Sequence, residues 1–174
     1  MPHTGMKPGA ALTPRIPDES VCSTLLTQVP PQVAAHSRAV QRLALEMCDA
    51  LAAHGVRLNR ALLSAAALLH DICRTEPNHA FAGAQKLRGL GYPEIADIVA
   101  VHHDWSGGTF DESALLYLAD KYVQGDQRVT LEERFERSRA KCRTEQALCA
   151  HDRRYRAALA ARQQYDLLIG EKQP

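Results

Sequence analysis

The feature that most restricts this chain is the period of its apolar residues. Val33, Val40, Leu43, Met47 and Leu51 recur at spacings of three, four and seven, the repeat of one helix face. No stretch alternates with period two for long enough to be a strand. The predicted fold class is therefore all-α, a bundle of six to eight helices. Breakers and caps place the helices. Asp18 to Thr27 reads as a short helix. Pro30 and Pro31 stop it and open the next, because proline suits the first helical turn. Gly55 closes that helix, and Asn59 caps a third through Leu62, Leu63, Ala66, Leu69 and Ile72. Its middle is apolar all round, as in a helix buried on most sides. Beyond Pro77 a helix spans His79 to Leu90 and ends at Gly91. Pro93 starts another, with Ile95, Ile98, Val99 and Val101 as its stripe. Ser106 to Thr109 is a loop, and Asp111 caps a helix through Leu115, Leu116, Leu118 and Ala119. Gly125-Asp126 is a turn, Thr130 and Glu133 make a capping box, and a last helix covers about Thr144 to Ile169.

A chain of 174 residues suits one domain with a sizeable core. Residues 1–17, with Pro2, Pro8, Pro14 and Pro17, are expected to be a flexible tail or linker remnant, and 18–174 a single helical domain. With 45% hydrophobic and 24% charged residues, the composition excludes a wholly disordered chain. The longest near-apolar run, Ala61 to Leu69, is under half of what a bilayer needs, so no membrane association is expected. Met1 to Leu12 lacks the apolar core of a secretory signal. A net charge of +1 argues against dedicated nucleic-acid binding. The charge is uneven: residues 1–120 carry a net −3 and residues 121–174 a net +4. The basic segment suits phosphate groups or an acidic partner, or is simply a solvated helix face. Five cysteines without CxxC spacing argue against a zinc ribbon or a disulfide framework and fit a reducing cytoplasm. Cys73, two residues after Asp71, reads as a small buried hydrophobe.

The histidines carry the chemistry. His-Asp dipeptides occur at His70-Asp71, His103-Asp104 and His151-Asp152. His70-Asp71 ends the most hydrophobic helix, where an unpaired pair bears a desolvation cost of several kcal/mol. A divalent cation removes that cost, and so does a neutral histidine hydrogen-bonded to its own aspartate. The neighbours favour the cation. His36 lies on an apolar face, His79 opens a helix, His102 and His103 end another, and Asp120 follows Ala119 on a core helix. Convergence on one metal site explains five helices so marked better than five accidents do. His3, His54 and His151 are read as tail, helix end and basic surface helix.

This ordered set resembles the HD-domain superfamily of metal-dependent phosphohydrolases. The matching text is HSRAV at 36–40, LLHDI at 68–72, HAFAGA at 79–84, IADIVAVHHD at 95–104 and LLYLADK at 115–121. The resemblance covers a metal-site core of residues 32–124, while the C-terminal helices of 125–174 add general similarity. Within the superfamily the chain is most similar to small HD domains found alone or fused behind a nucleotidyltransferase of the molybdenum-cofactor type. Association with a nucleotidyltransferase is therefore an expected partnership, with Pro17 to Leu26 as a linker remnant.

The resemblance implies a ligand set. His36, His70, Asp71 and Asp120 match the residues that hold one metal, and His79 and His102 match those that add a second, with Asp71 bridging. His103 is an additional ligand or a donor behind the ligands. Two cations about 3.5–4 Å apart can share a hydroxide and clamp a phosphoryl oxygen. A mixed imidazole and carboxylate set suits Fe, Mn, Co, Ni or Zn. Asp71 and Arg74 are the expected catalytic residues. Arg74, Lys121 and His103 are the expected substrate contacts, with Lys121 either on phosphate or in solvent. The expected function is hydrolysis of a nucleotide or another small phosphoester or phosphoanhydride. The alternatives are a non-catalytic metal- or nucleotide-binding regulatory module and a di-iron HD-type oxygenase. Trp105, beside Gly107 and Gly108, reads as a packing residue or a substrate cover.

Overall fold

The computed structural model describes residues 15–170. Most of the tail expected over 1–17 lies outside the described residues. Within them the chain forms eight helices: α1 (Glu19–Leu26), α2 (Pro31–Ala53), α3 (Arg60–Leu69), α4 (His79–Gly89), α5 (Pro93–Val101), α6 (Glu112–Lys121), α7 (Leu131–Arg139) and α8 (Glu145–Leu168). The all-α expectation holds.

The caps act as the sequence implies. Asp18, Asn59, Asp111, Thr130 and Thr144 each accept a backbone N–H of their own first turn. Thr130 and Glu133 form the reciprocal capping box. Pro31 and Pro93 stand in the first turns of α2 and α5.

Three expectations need correction. Ile72 lies outside α3, which stops at Leu69. The chain continues in tight turns that bond Ile72 N to Leu69 O and Arg74 N to Asp71 O. Val101 is exposed, and the core position one turn after Ile98 is taken by His102. Two strands also occur, β1 (Val123–Gln124) and β2 (Gln127–Arg128), paired antiparallel around the Gly125-Asp126 turn. Strands of two residues are too short to register as period-two alternation. The segment Pro17 to Leu26 contains the short helix expected there and is packed: Pro17, Cys22, Leu25 and Leu26 are buried, and α1 contacts α3.

The core is formed by α2, α3, α5 and α6. Residues Ala65 to Leu69 and Ala114 to Ala119 are buried throughout. α4 packs closely on α5 because Gly83 has no side chain: a Cβ there would lie 3.4 Å from both Ile72 Cγ2 and Val99 Cγ1. Asn78 adopts the left-handed conformation (φ 51°) just before α4, which asparagine tolerates better than most residues. Together these features start α4 at His79 and hold it beside the end of α5. α7 packs on α8, and α8 packs on α6 through Ala158 and Ala161.

Candidate metal centre

The site is built from helix ends. His70 follows the last residue of α3 and His102 the last of α5. Each turns its ring back on its own helix: His70 Nδ1 donates to Ala67 O at 2.7 Å, and His102 Nδ1 to Val99 O at 2.6 Å. A carbonyl oxygen only accepts, so both protons are fixed on Nδ1. Both Nε2 atoms are then free to face inward. They are fully buried, and neither has a hydrogen-bond partner. His36 repeats the arrangement over a longer range. Its Nδ1 donates to Gly125 O at 2.7 Å, in the hairpin turn, and its Nε2 lies 3.0 Å from Asp120 Oδ1.

Two carboxylates receive these rings. Asp120 Oδ1 faces His36 Nε2 at 3.0 Å and His70 Nε2 at 3.7 Å. Its Oδ2 accepts from Lys121 Nζ at 2.6 Å. Asp71 divides its oxygens. Oδ2 faces His70 at 3.7 Å and Arg74 at 3.5 Å, while Oδ1 faces His79 Nε2 at 3.3 Å and His102 Nε2 at 3.5 Å. Donor atoms therefore gather into two groups, His36 with His70 and Asp71, and His79 with His102 and His103. Within each group they lie within 4.8 Å of one another.

The chemistry of this donor set fits a cation. A neutral imidazole with its proton on Nδ1 presents a lone pair at Nε2. Lone pairs that face carboxylate oxygens repel unless positive charge lies between them. Hydrogen bonding of the outer ring nitrogen to a carbonyl is the usual way a metal-ligating histidine is oriented. The field also calls for positive charge among these groups. Burial raises the Asp71 carboxyl, and N–H donation from His102 and His79 together with a charged His70, itself raised against its burial by Asp120 and Asp71, would be needed to hold it well below the usual range. Burial likewise opposes ionisation of Asp120, and Lys121, His36 and His70 overcome it. Burial, aided by Lys121, pushes His103 down to about 3, so that its imidazole is neutral.

A cavity of about 220 Å³ opens onto His36, Asp71, Arg74, His102, His103 and Asp120. The structure thus brings every residue singled out for metal or substrate into one neighbourhood. Arg74 is about half exposed, with its guanidinium near Asp71 Oδ2 and 3.3 Å from His79 Nε2. Lys121 departs from its solvent alternative. It is buried, bound to Asp120, 3.4 Å from His102 O and seated over the Tyr117 ring. His54 is an exposed helix end, as expected. His151 is not a surface residue: it is 7% exposed, and its nitrogens meet Phe135 O and Asp152 Oδ1. His3 lies outside the described residues. Trp105 is buried near Tyr117, consistent with packing.

Sequence reasoning missed Gln32, Val33 and Arg134, which line the same cavity. Arg134 carries no local signal, because other arginines stand close to it on α7. Its place depends on the hairpin that turns the chain back toward the start of α2.

An all-helical bundle that gathers histidines and aspartates from five helix ends and faces defines a class of His/Asp metal-site proteins. The family model for the HD domain matches residues 33–154, and the chain belongs to that family. Among curated proteins, an uncharacterized protein of Methanocaldococcus jannaschii is 32% identical over 120 residues, which cover 67% of this chain and 69% of that protein. The tRNA (cytidine(56)-2'-O)-methyltransferase of Picrophilus torridus is 32% identical over 111 residues, or 61% of this chain. The chain spans only 31% of the length of that methyltransferase. No solved structure gave a significant match. No helix among the described residues is long and apolar enough to cross a membrane.

Proposed function

We propose that the protein is a metal-dependent phosphohydrolase with a binuclear centre. In this reading His36, His70, Asp71 and Asp120 hold one divalent transition metal. His79 and His102, with His103 beside them and Asp71 between the two groups, would hold a second. The observation that carries the reading is the division of Asp71, whose Oδ2 faces one donor group and whose Oδ1 faces the other. When bound, such a pair of cations supplies Lewis acidity and a nucleophile at neutral pH.

The chain's own residues do the rest. Lys121 fixes Asp120 through Oδ2 and leaves Oδ1 toward the histidines. Arg74 lies half exposed at the cavity and can take a phosphate oxygen bidentately. His103, neutral and on the cavity wall, can offer one hydrogen bond and accept another. The substrate class is a nucleotide or another small phosphoester or phosphoanhydride. The activity named for the matched methyltransferase belongs to a protein of which this chain covers under a third, and it is not carried over.

The test is elemental mass spectrometry on protein purified without chelator or oxygen, followed by a screen of nucleotides and other phosphoesters. About two transition-metal ions per chain with phosphate release supports the reading. One ion removes the binuclear assignment. Two ions without turnover on any phosphoester leave a regulatory module, and no metal after reconstitution overturns the proposal.

A further inference from the structure

A second cavity, of about 300 Å³, lies between α6, α7 and α8. It shares two wall residues, His103 and Arg134, with the cavity at the metal centre. Its other walls include Phe135, Cys142, Ala147 and Ala150. The polar groups around it are largely turned on the protein itself. His151 Nε2 and Ser138 Oγ both donate to Phe135 O, and Cys142 Sγ to Ser138 O. Its cations are also engaged, Lys121 by Asp120 and Arg154 by Asp104 in a two-pronged pair at 2.9 and 3.2 Å. Arg134 is the exception. It is partly buried at the join of the two cavities and makes no side-chain hydrogen bond or ion pair among the described residues.

We infer that this second cavity is the leaving-group subsite and that Arg134 binds a second phosphate lying between the metal centre and an organic group. The inference rests on the phosphohydrolase reading and narrows its substrate to a phosphoanhydride bearing a weakly polar substituent of about nucleoside size. The metal centre and Arg74 already face the phosphoryl group to be cleaved. An uncommitted guanidinium beyond them calls for another anion, because guanidinium forks match phosphate oxygens. The walls behind it offer Phe135, Cys142, Ala147 and Ala150, and the cations among them, Lys121 and Arg154, are already paired with Asp120 and Asp104, which suits an uncharged, flat group rather than a third phosphate. In the reaction a water oxygen bonds to the terminal phosphorus and the anhydride P–O bond breaks. Inorganic phosphate and the organic monophosphate leave, with the protons of water passing to the products and solvent.

The test is calorimetric binding to the Mn²⁺-loaded full chain, with three non-hydrolysable probes: methylphosphonate, which carries only the phosphoryl group at the metal centre, α,β-methylene-ADP and methylenediphosphonate. Arg134→Gln is expected to weaken α,β-methylene-ADP more than methylphosphonate, by about 10- to 100-fold, the effect of losing a charged hydrogen bond. Ala150→Phe, which fills the second cavity, is expected to weaken α,β-methylene-ADP at least about tenfold relative to methylenediphosphonate. Equal losses for both probes in either variant, or wild-type binding of α,β-methylene-ADP no tighter than methylenediphosphonate, overturns the subsite. ADP hydrolysis that both variants leave unchanged overturns the subsite and spares the hydrolase reading. The expected binding pattern without any turnover keeps the diphosphate site at Arg134 and overturns the hydrolase reading, and with it the leaving-group role.

Discussion

The same dipeptide, His-Asp, ends α3 at His70-Asp71 and lies within α8 at His151-Asp152. Both histidines are buried, His70 at 0% and His151 at 7% exposure. They differ in what their nitrogens meet. Both nitrogens of His151 have partners, and Asp152 is half exposed and also accepts from Arg139. His70 spends one nitrogen on Ala67 O and leaves the other buried without a partner, facing two buried carboxylates. Burial alone does not distinguish a ligand from a structural histidine. An unsatisfied inner nitrogen does, since the cost of leaving it so is recovered only when something binds there.

The contrast extends to the surrounding regions. The helices of the metal centre bury Asp71, Asp120 and Lys121 among apolar residues, while their remaining charges pair at the surface, as Arg60 does with Asp49 and Arg88 with Asp97. α7 and α8 carry their charges outside, in pairs such as Arg139 with Asp152 and Arg162 with Glu132. The first region stores electrostatic demand, and the second satisfies it locally with the help of water.

Substitutions test this difference. The largest effect is expected for Asp71→Ala, which removes the one carboxylate common to both donor groups. Metal content should fall from about two ions per chain to near zero, read by elemental mass spectrometry. His79→Ala should cost a single ion and leave the His36, His70, Asp71 and Asp120 group loaded. Retention of both ions in that variant breaks the division of Asp71 between two metals. In the other region, His151→Ala should leave metal content at its wild-type value and lower stability by about 1–3 kcal/mol in urea unfolding, as Phe135 O loses one of its two donors and the buried ring is removed. Loss of metal there breaks the comparison. The smallest effect belongs to Arg154→Ala, which severs the partly exposed pair with Asp104. A stability loss of under about 1 kcal/mol with full metal loading is expected. Metal loss in that variant would show that α8 holds the His102-His103 segment in place.

Much of the fold was legible because it is governed by neighbours in sequence. Caps at Asp18, Asn59, Asp111, Thr130 and Thr144, and prolines at 31 and 93, act within one turn of themselves. Apolar spacing then fixes which face of each helix is buried. The errors fell where a local pattern stops short. Val101, three residues after Ile98, and His102, four after it, both fit the helical period, and only packing gave the core position to His102.

The sequence by itself therefore determined the helices, their order and the residue types each brings to the centre. Only the tertiary structure decided how those residues meet. His36 reaches Asp120 across 84 residues and Gly125 across 89. Lys121 turns inward to Asp120, His151 is sealed beneath Phe135, and Arg134 arrives at the rim of the metal cavity by way of a hairpin too short to read in the sequence. The physical reason is range. Caps and helical periods act over three or four residues, whereas hydrogen bonds and ion pairs between distant elements exist only once packing has brought their partners within about 3 Å.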